Sequence, residues 1–171
     1  MKYSPEKEIV ALSDACGRTV FEDIRSRYDV PAVRCSRWDG IVFSYDAYRE
    51  IMDRETNAGD FSSWKEGVDY SYSNTGIPVS REEFDTMVMI EQTRFEDGCL
   101  REILPNDVER EQNIIFPGEK MAQGELLASA GTYVTPAHLN IFAMGGVMTV
   151  PVKRKPRVAI IPTGDELVPG V

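Results

Sequence analysis

The residues best suited to chemistry lie near the end of the chain. There Arg157-Val-Ala-Ile-Ile-Pro-Thr-Gly-Asp-Glu-Leu-Val-Pro-Gly170 sets two adjacent carboxylates, Asp165 and Glu166, in a turn after four apolar residues. An apolar run without alternation, here residues 158–161, predicts a strand covered on both faces, as in a parallel α/β sheet. Ligands of such sheets bind outside the carboxyl ends of the strands, where this loop falls. Earlier in the chain Asp39 precedes Gly40 and Thr75 precedes Gly76, and each pair taken alone reads as a tight turn. The remaining reactive residues are scattered. Cys16, Cys35 and Cys99 have no C-x-x-C spacing and fit reduced thiols better than disulfides or a thiolate metal site. His138 is the sole histidine and is expected to be an incidental surface residue. Nucleophile elbows, P-loops and paired metal-binding histidines are absent. The basic run Lys153-Arg154-Lys155, with Arg157, reads as a solvated linker.

Composition narrows the function classes. The chain has 171 residues, 42% of them apolar and 27% charged, enough for one good core or two smaller modules with a short third piece. A net charge of −9 argues against a nucleic-acid partner, because a phosphate-backbone binder needs a basic face. No apolar run approaches the roughly 20 residues that span a bilayer, and residues 1–8 lack the apolar core of a signal peptide. A cytoplasmic location without membrane partners is therefore expected.

The elements that must position these residues can be read in order. Residues 8–12 predict a strand, and 13–17 a helical turn that Ser13 can cap and Gly17 can stop. An extended pattern resumes over 18–24, and Pro31 imposes an extended entry at Asp29-Val-Pro31. A helix is predicted over 44–56, capped by Ser44, with Tyr45, Tyr48, Ile51 and Met52 on one face. Several short strands follow between 61 and 101, and Asp97-Gly98 suits a hairpin turn that needs positive φ. Thr135-Pro136 opens a second helix, with Leu139, Phe142 and Ala143 as its buried stripe and Gly145-Gly146 as its stop. A strand over 147–152 precedes the terminal apolar run. That last strand needs neighbours and crossover helices beyond Val171, so the sequence reads as a fragment cut where a ligand-binding domain begins.

Six ordered blocks carry a family resemblance. The end of the chain, Ile161-Pro-Thr-Gly-Asp-Glu-Leu167, resembles the (S/P)-T-G-D-E-L loop of the molybdopterin molybdenum-insertion enzymes, the MoeA and gephyrin E-domain family. Ala15-Cys-Gly-Arg-Thr-Val-Phe-Glu-Asp-Ile24 is similar to the family's A-L-G-R-V-L-A-E-D-(I/V). From Asp29 to Ile41 the chain resembles D-V-P-P-F-D-N-S-A-M-D-G-Y-A, keeping Asp29, Val30, Pro31, Ser36, Asp39 and Gly40. At the family's middle Asp, Asn, Met and Tyr stand Arg34, Cys35, Trp38 and Ile41. Asn74-Thr-Gly-Ile-Pro-Val79, with Asp85-Thr-Met-Val-Met-Ile-Glu-Gln-Thr93, resembles (M/R)-T-G-A-P-V-P followed by A-D-A-V-V-M-Q-E-x-T. Asn113-Ile-Ile-Phe-Pro-Gly-Glu-Lys120 is similar to N-(I/V)-R-x-x-G-E-D, with Lys120 in place of a functional carboxylate. Gly124-Glu-Leu-Leu-Ala128 and Gly131-Thr-Tyr-Val134 continue the match into Thr135-Pro136.

The resemblance implies an α+β, β-rich fold. A discontinuous MoeA-type first domain would comprise residues 1–30 and 118–155, with an inserted β-rich lobe over 31–117. Residues 156–171 would be the linker and first strand of a truncated molybdopterin-binding domain. The implied reaction inserts molybdate into adenylylated molybdopterin and releases AMP, assisted by Mg2+, in a homodimer that takes substrate from a molybdopterin adenylyltransferase. Carried over residue by residue, Asp39, Thr75 and Glu166 are the expected catalytic residues, and Thr163, Gly164 and Asp165 the expected cofactor-binding ones. Asp39, Asp165 and Glu166 could hold a cation or its waters, and Thr75 could donate to an oxyanion; no metal ligand set is assigned. Lys120 and the altered stretch from Arg34 to Trp38 keep open a non-catalytic relative used as a binding or scaffold module. An unrelated β-rich carbohydrate- or nucleotide-binding module is the third alternative. The fragment by itself is expected to be inactive.

Overall fold

The computed structural model describes residues 6–54, 59–104, 107–161 and 163. In chain order its first elements are β1 (Lys7–Ala11), β2 (Ile24–Arg25), β3 (Cys35–Ser36), β4 (Gly40–Phe43), α1 (Tyr45–Met52), β5 (Tyr70–Ser73) and β6 (Thr86–Met89). They are followed by β7 (Thr93–Glu96), β8 (Cys99–Ile103), β9 (Ile114–Ile115), β10 (Leu126–Ala128), α2 (Pro136–Met144) and β11 (Thr149–Lys153). Short strands with two helices make the predicted α+β, β-rich chain. They fall into two compact units, one of residues 1–25 with 126–171 and the other of 26–125. The first is discontinuous and the second inserted, with the division at Arg25/Ser26 and Glu125/Leu126, where the sequence reading put it near 30 and 118.

In the discontinuous unit β1 and β11 pair antiparallel from Lys7↔Lys153 to Ala11↔Thr149, and β2 pairs with β10. Val20, Ile24, Val134, Phe142, Val150 and Val152 fill its core. The second helix starts as its sequence demands. Thr135 is the N-cap, Pro136 occupies the first turn where its missing N–H costs nothing, and Phe142 is fully buried. Ala143, predicted for the buried stripe, is exposed, because so short a helix presents only a narrow line to the core.

In the inserted unit the central strand is β4, flanked by β5 and β6 in an antiparallel sheet. All four β4 residues are buried because the sheet is covered on both faces. Successive side chains alternate across a strand. Ile41 and Phe43 therefore face one core with Tyr48, Phe61, Trp64, Tyr70 and Val88, while Val42 and Met87 face a second core with Phe84 and Ile114. The first core is aromatic: Tyr48 stacks on Phe61 at 5.8 Å and Phe61 meets Trp64 edge-on at 4.9 Å. Each such buried ring contributes about 1.5–3 kcal/mol. The first helix, α1, has Ser44 as N-cap, as predicted, but stops at Met52 rather than 56. Asp97 and Gly98 both take positive φ, 52° and 78°, and close the predicted β7–β8 hairpin.

The expected terminal strand is not formed. Residues 158–161 have no strand structure, and Val158, Ile160 and Ile161 are 79%, 90% and 80% exposed. An apolar run becomes a covered strand only where neighbouring strands satisfy its backbone, and none of the described residues pair with it.

Candidate functional site

Asp39 lies in the three-residue loop between β3 and β4, and backbone bonds hold this loop at both ends. The Arg37 amide donates to the Asn113 carbonyl at 2.9 Å, and the Asp39 carbonyl accepts from the Ile90 amide at 3.1 Å. Gly40 follows because nothing larger fits: a Cβ there would lie 2.0 Å from the Val88 carbonyl oxygen. The Asp39-Gly40 pair is therefore not a positive-φ turn. Its glycine starts β4 with the neighbouring strand's backbone pressed against it.

Thr75 is carried by the turn after β5. Its backbone is locked to β3: the Gly76 amide donates to the Ser36 carbonyl at 2.8 Å, and the Ser36 amide to the Ile77 carbonyl at 3.0 Å. Beneath it the buried hydroxyls of Ser36 and Ser73 meet at 2.5 Å. Gly76 supplies the positive φ, 79°, that turns the chain. The two loops meet at one carboxylate oxygen. Asp39 Oδ1 accepts the Thr75 amide at 2.7 Å and the Thr75 hydroxyl at 3.0 Å. These bonds, the backbone one first, hold the Asp39 carboxyl below its ordinary pKa. Asp39 is thus kept ionised, and Oδ2, which has no hydrogen-bond partner among the described residues, can take a cation, a cation-bound water or a substrate N–H or O–H donor. So acidic a carboxylate is better suited to binding charge than to abstracting protons near neutral pH. In this arrangement the Thr75 hydroxyl donates its proton to Asp39.

A second tie holds the same loop. Arg37 forms an ion pair and hydrogen bond with Glu119, whose other oxygen accepts the Phe116 amide at 3.1 Å. The Arg37 bond, then the Phe116 bond, hold Glu119 below its ordinary pKa. Lys120, at the position of the family's functional carboxylate, is exposed, and its amide donates to the Val30 carbonyl at 3.0 Å. The turn with the charge reversal is thus fastened to the loop that carries Asp39. Sequence gave no sign of the Arg37–Glu119 pair, since the two residues lie far apart in the chain.

The other expected site residues belong to the end of the chain. Thr163 is exposed in the discontinuous unit, and Gly164, Asp165 and Glu166 lie outside the described residues. Among the described residues no group of three His, Cys, Asp or Glu side chains could hold a metal ion, so Asp39 is a single carboxylate rather than a metal cage. Asp85, matched in the family motif, is structural. It accepts the Tyr45 amide at the head of α1 at 2.8 Å and pairs with Arg110, which also pairs with Asp46 and lies over the Tyr45 ring. His138 also has a structural role: its Nδ1 accepts the Thr135 amide at 3.2 Å and completes a capping box at the start of α2. No described helix is long and apolar enough to cross a membrane.

Comparison with known proteins identifies the family. The molybdopterin molybdenumtransferase of Bacillus subtilis is 35% identical over 95% of this chain, and that of Haemophilus influenzae 27% identical over 98%. The chain spans only 40% and 42% of those relatives. A crystal structure of the molybdopterin biosynthesis moeA protein from Pyrococcus horikoshii OT3 superposes with a TM-score of 0.70 at 25% identity, covering 88% of this chain and 42% of that one. A crystal structure of a molybdopterin biosynthesis moea protein from Pyrococcus horikosii gives 0.75 at 24% identity, covering 98% of this chain and 46% of that one, a likeness of fold. The profile described as the MoeA N-terminal region (domain I and II) matches residues 1–146, and with six sequence blocks and the fold in agreement, the chain belongs to the MoeA N-terminal family.

Proposed function

We propose that this chain is the N-terminal portion of a molybdopterin molybdenumtransferase. In this reading the whole protein inserts molybdate into adenylylated molybdopterin and releases AMP. The observation that carries it is the junction of Asp39 and Thr75, two family-motif residues 36 positions apart that share one carboxylate oxygen. Asp39, held ionised, stabilises positive charge at its free oxygen, and Thr75 fixes the orientation of that carboxylate. Mg2+ is commonly held by one or two carboxylates together with substrate phosphates, so a single Asp39 suits it, with Asp165 and Glu166 as further candidates. Bound there, the ion would neutralise charge on the phosphate leaving group. Thr163, Gly164 and Asp165 would contact the pterin from the domain that follows. The protein would work in the cytoplasm as a homodimer supplied by a molybdopterin adenylyltransferase.

The test is AMP release by the whole protein with adenylylated molybdopterin, molybdate and magnesium. Activity that falls by about a hundredfold or more in Asp39→Asn supports the reading; full activity in that variant removes Asp39 from the mechanism. The 171-residue chain alone should release no AMP above the buffer rate.

Lys120 favours a second reading, a non-catalytic relative serving as a binding module. A lysine cannot replace a carboxylate that handles cations or protons. Whole protein that binds adenylylated molybdopterin without turning it over would establish that alternative.

A further inference from the structure

We propose that Trp38 is the stacking wall of the site, gripping the planar heteroaromatic ring of the substrate next to Asp39. The proposal rests on the substrate reading above and adds a specificity-determining residue to it. Two tryptophans contrast in this chain. Trp64 is buried and packed by Phe43 at 5.5 Å and Phe61 at 4.9 Å. Trp38 is 50% exposed, belongs to none of the three cores, meets no other aromatic ring, and has no hydrogen-bond acceptor for its indole N–H among the described residues.

The residues on either side of this open ring are nonetheless held by hydrogen bonds and close packing. On one side Arg37 is fixed through its amide and its guanidinium. On the other, Asp39 is fixed at both carbonyl and carboxylate, and Gly40 is wedged against Val88. Ile77, 51% exposed and two residues beyond Thr75, is an exposed apolar residue on the second loop. A large apolar ring presented between two anchored residues loses less conformational freedom when a ligand ring covers it than one on an unanchored loop, which favours stacking. The substrate proposed above carries two such rings, a pterin and an adenine, and either chemistry fits an indole face.

The experiment uses the 171-residue chain, with the Trp38 indole N–H and the Thr75 amide as NMR reporters. AMP, 6-hydroxymethylpterin and ribose 5-phosphate are titrated separately. The expected result is a saturable shift of both reporters with AMP, with the pterin or with both, and none with ribose 5-phosphate. The responding ring identifies which part of the substrate Trp38 holds. Trp38→Phe should keep the Thr75 response, and Trp38→Ala should weaken binding by about tenfold or more. The unchanged Trp64 signal reports that each variant is folded. Absence of a response to both rings, an equal response to ribose 5-phosphate, or unaltered affinity in Trp38→Ala overturns the proposal. Failure of molybdenum insertion in the whole protein would sink the functional reading while leaving a measured ring response intact. Insertion activity without any ring response would sink the Trp38 proposal alone.

Discussion

At the scale of residues, the Asp39–Thr75 junction makes a signed prediction. The folded-state pKa of Asp39 is depressed, so its bonds to Thr75 contribute stability that is fully present above the ordinary aspartate pKa of about 3.9. That contribution is lost as pH falls through the lower folded value. Thr75→Val removes the hydroxyl bond but leaves the stronger backbone bond, so the Asp39 pKa should rise only part of the way. Following the Asp39 carboxyl carbon by NMR from pH 2 to 6 checks this; an unmoved titration would mean that the hydroxyl bond is absent in solution. Gly40 makes a cruder demand. Its missing Cβ would strike backbone atoms of β6, which cannot swing aside as a side chain can. Gly40→Ala should therefore lower stability by about 1–3 kcal/mol or more, read from the urea midpoint. Little of this was legible in the sequence. Asp39-Gly40 looks like a turn because a dipeptide does not reveal which strand will press against it.

The elements were easier to foresee where local chemistry decides them. Thr135-Pro136 and Asp97-Gly98 specify a helix start and a hairpin through backbone preferences that no tertiary contact has to supply. Elements that depend on distant partners were read less well. Residues 158–161 have a buried strand's composition but no ladder to join among the described residues, and α1 ends four residues before its expected limit. Nor could the sequence show what starts α1 besides Ser44, whose oxygen is 3.5 Å from the Ala47 amide and so a weak cap. The stronger partner is Asp85, 40 positions away, which takes the Tyr45 amide and anchors Arg110. Asp85→Ala should cost about 1–3 kcal/mol, more than Ser44→Ala, because it strips a helix amide of its acceptor and Arg110 of one of its two carboxylate partners. Comparing the two variants by chemical denaturation decides which residue governs the helix start. Equal losses would return that role to Ser44.

At the scale of the molecule, the inserted unit has the properties of an independently folding module. It contains two hydrophobic cores of its own, one on each face of the β5-β4-β6 sheet. Its two ends also meet: the Ser26 amide donates to the Glu125 carbonyl at 2.9 Å, and the Gly124 amide to the Ser26 carbonyl at 2.9 Å. A unit whose termini are adjacent and hydrogen-bonded can be excised without opening its core. About 100 residues is also enough chain to bury a core that offsets its conformational entropy. Residues 26–125 should therefore fold alone, unfold in a single cooperative transition, and keep the depressed Asp39 titration, since Arg37, Asp39, Thr75, Asn113 and Glu119 all lie within them. The remaining unit makes the matching prediction. Arg25 and Leu126 are paired neighbours on β2 and β10, so a short glycine-containing turn joining them should replace the whole insert. Dispersed amide spectra of both pieces, overlaying on those of the 171-residue chain, are the expected result. An excised 26–125 that is collapsed but undispersed would mean that its two cores need the discontinuous unit to reach a single packed state.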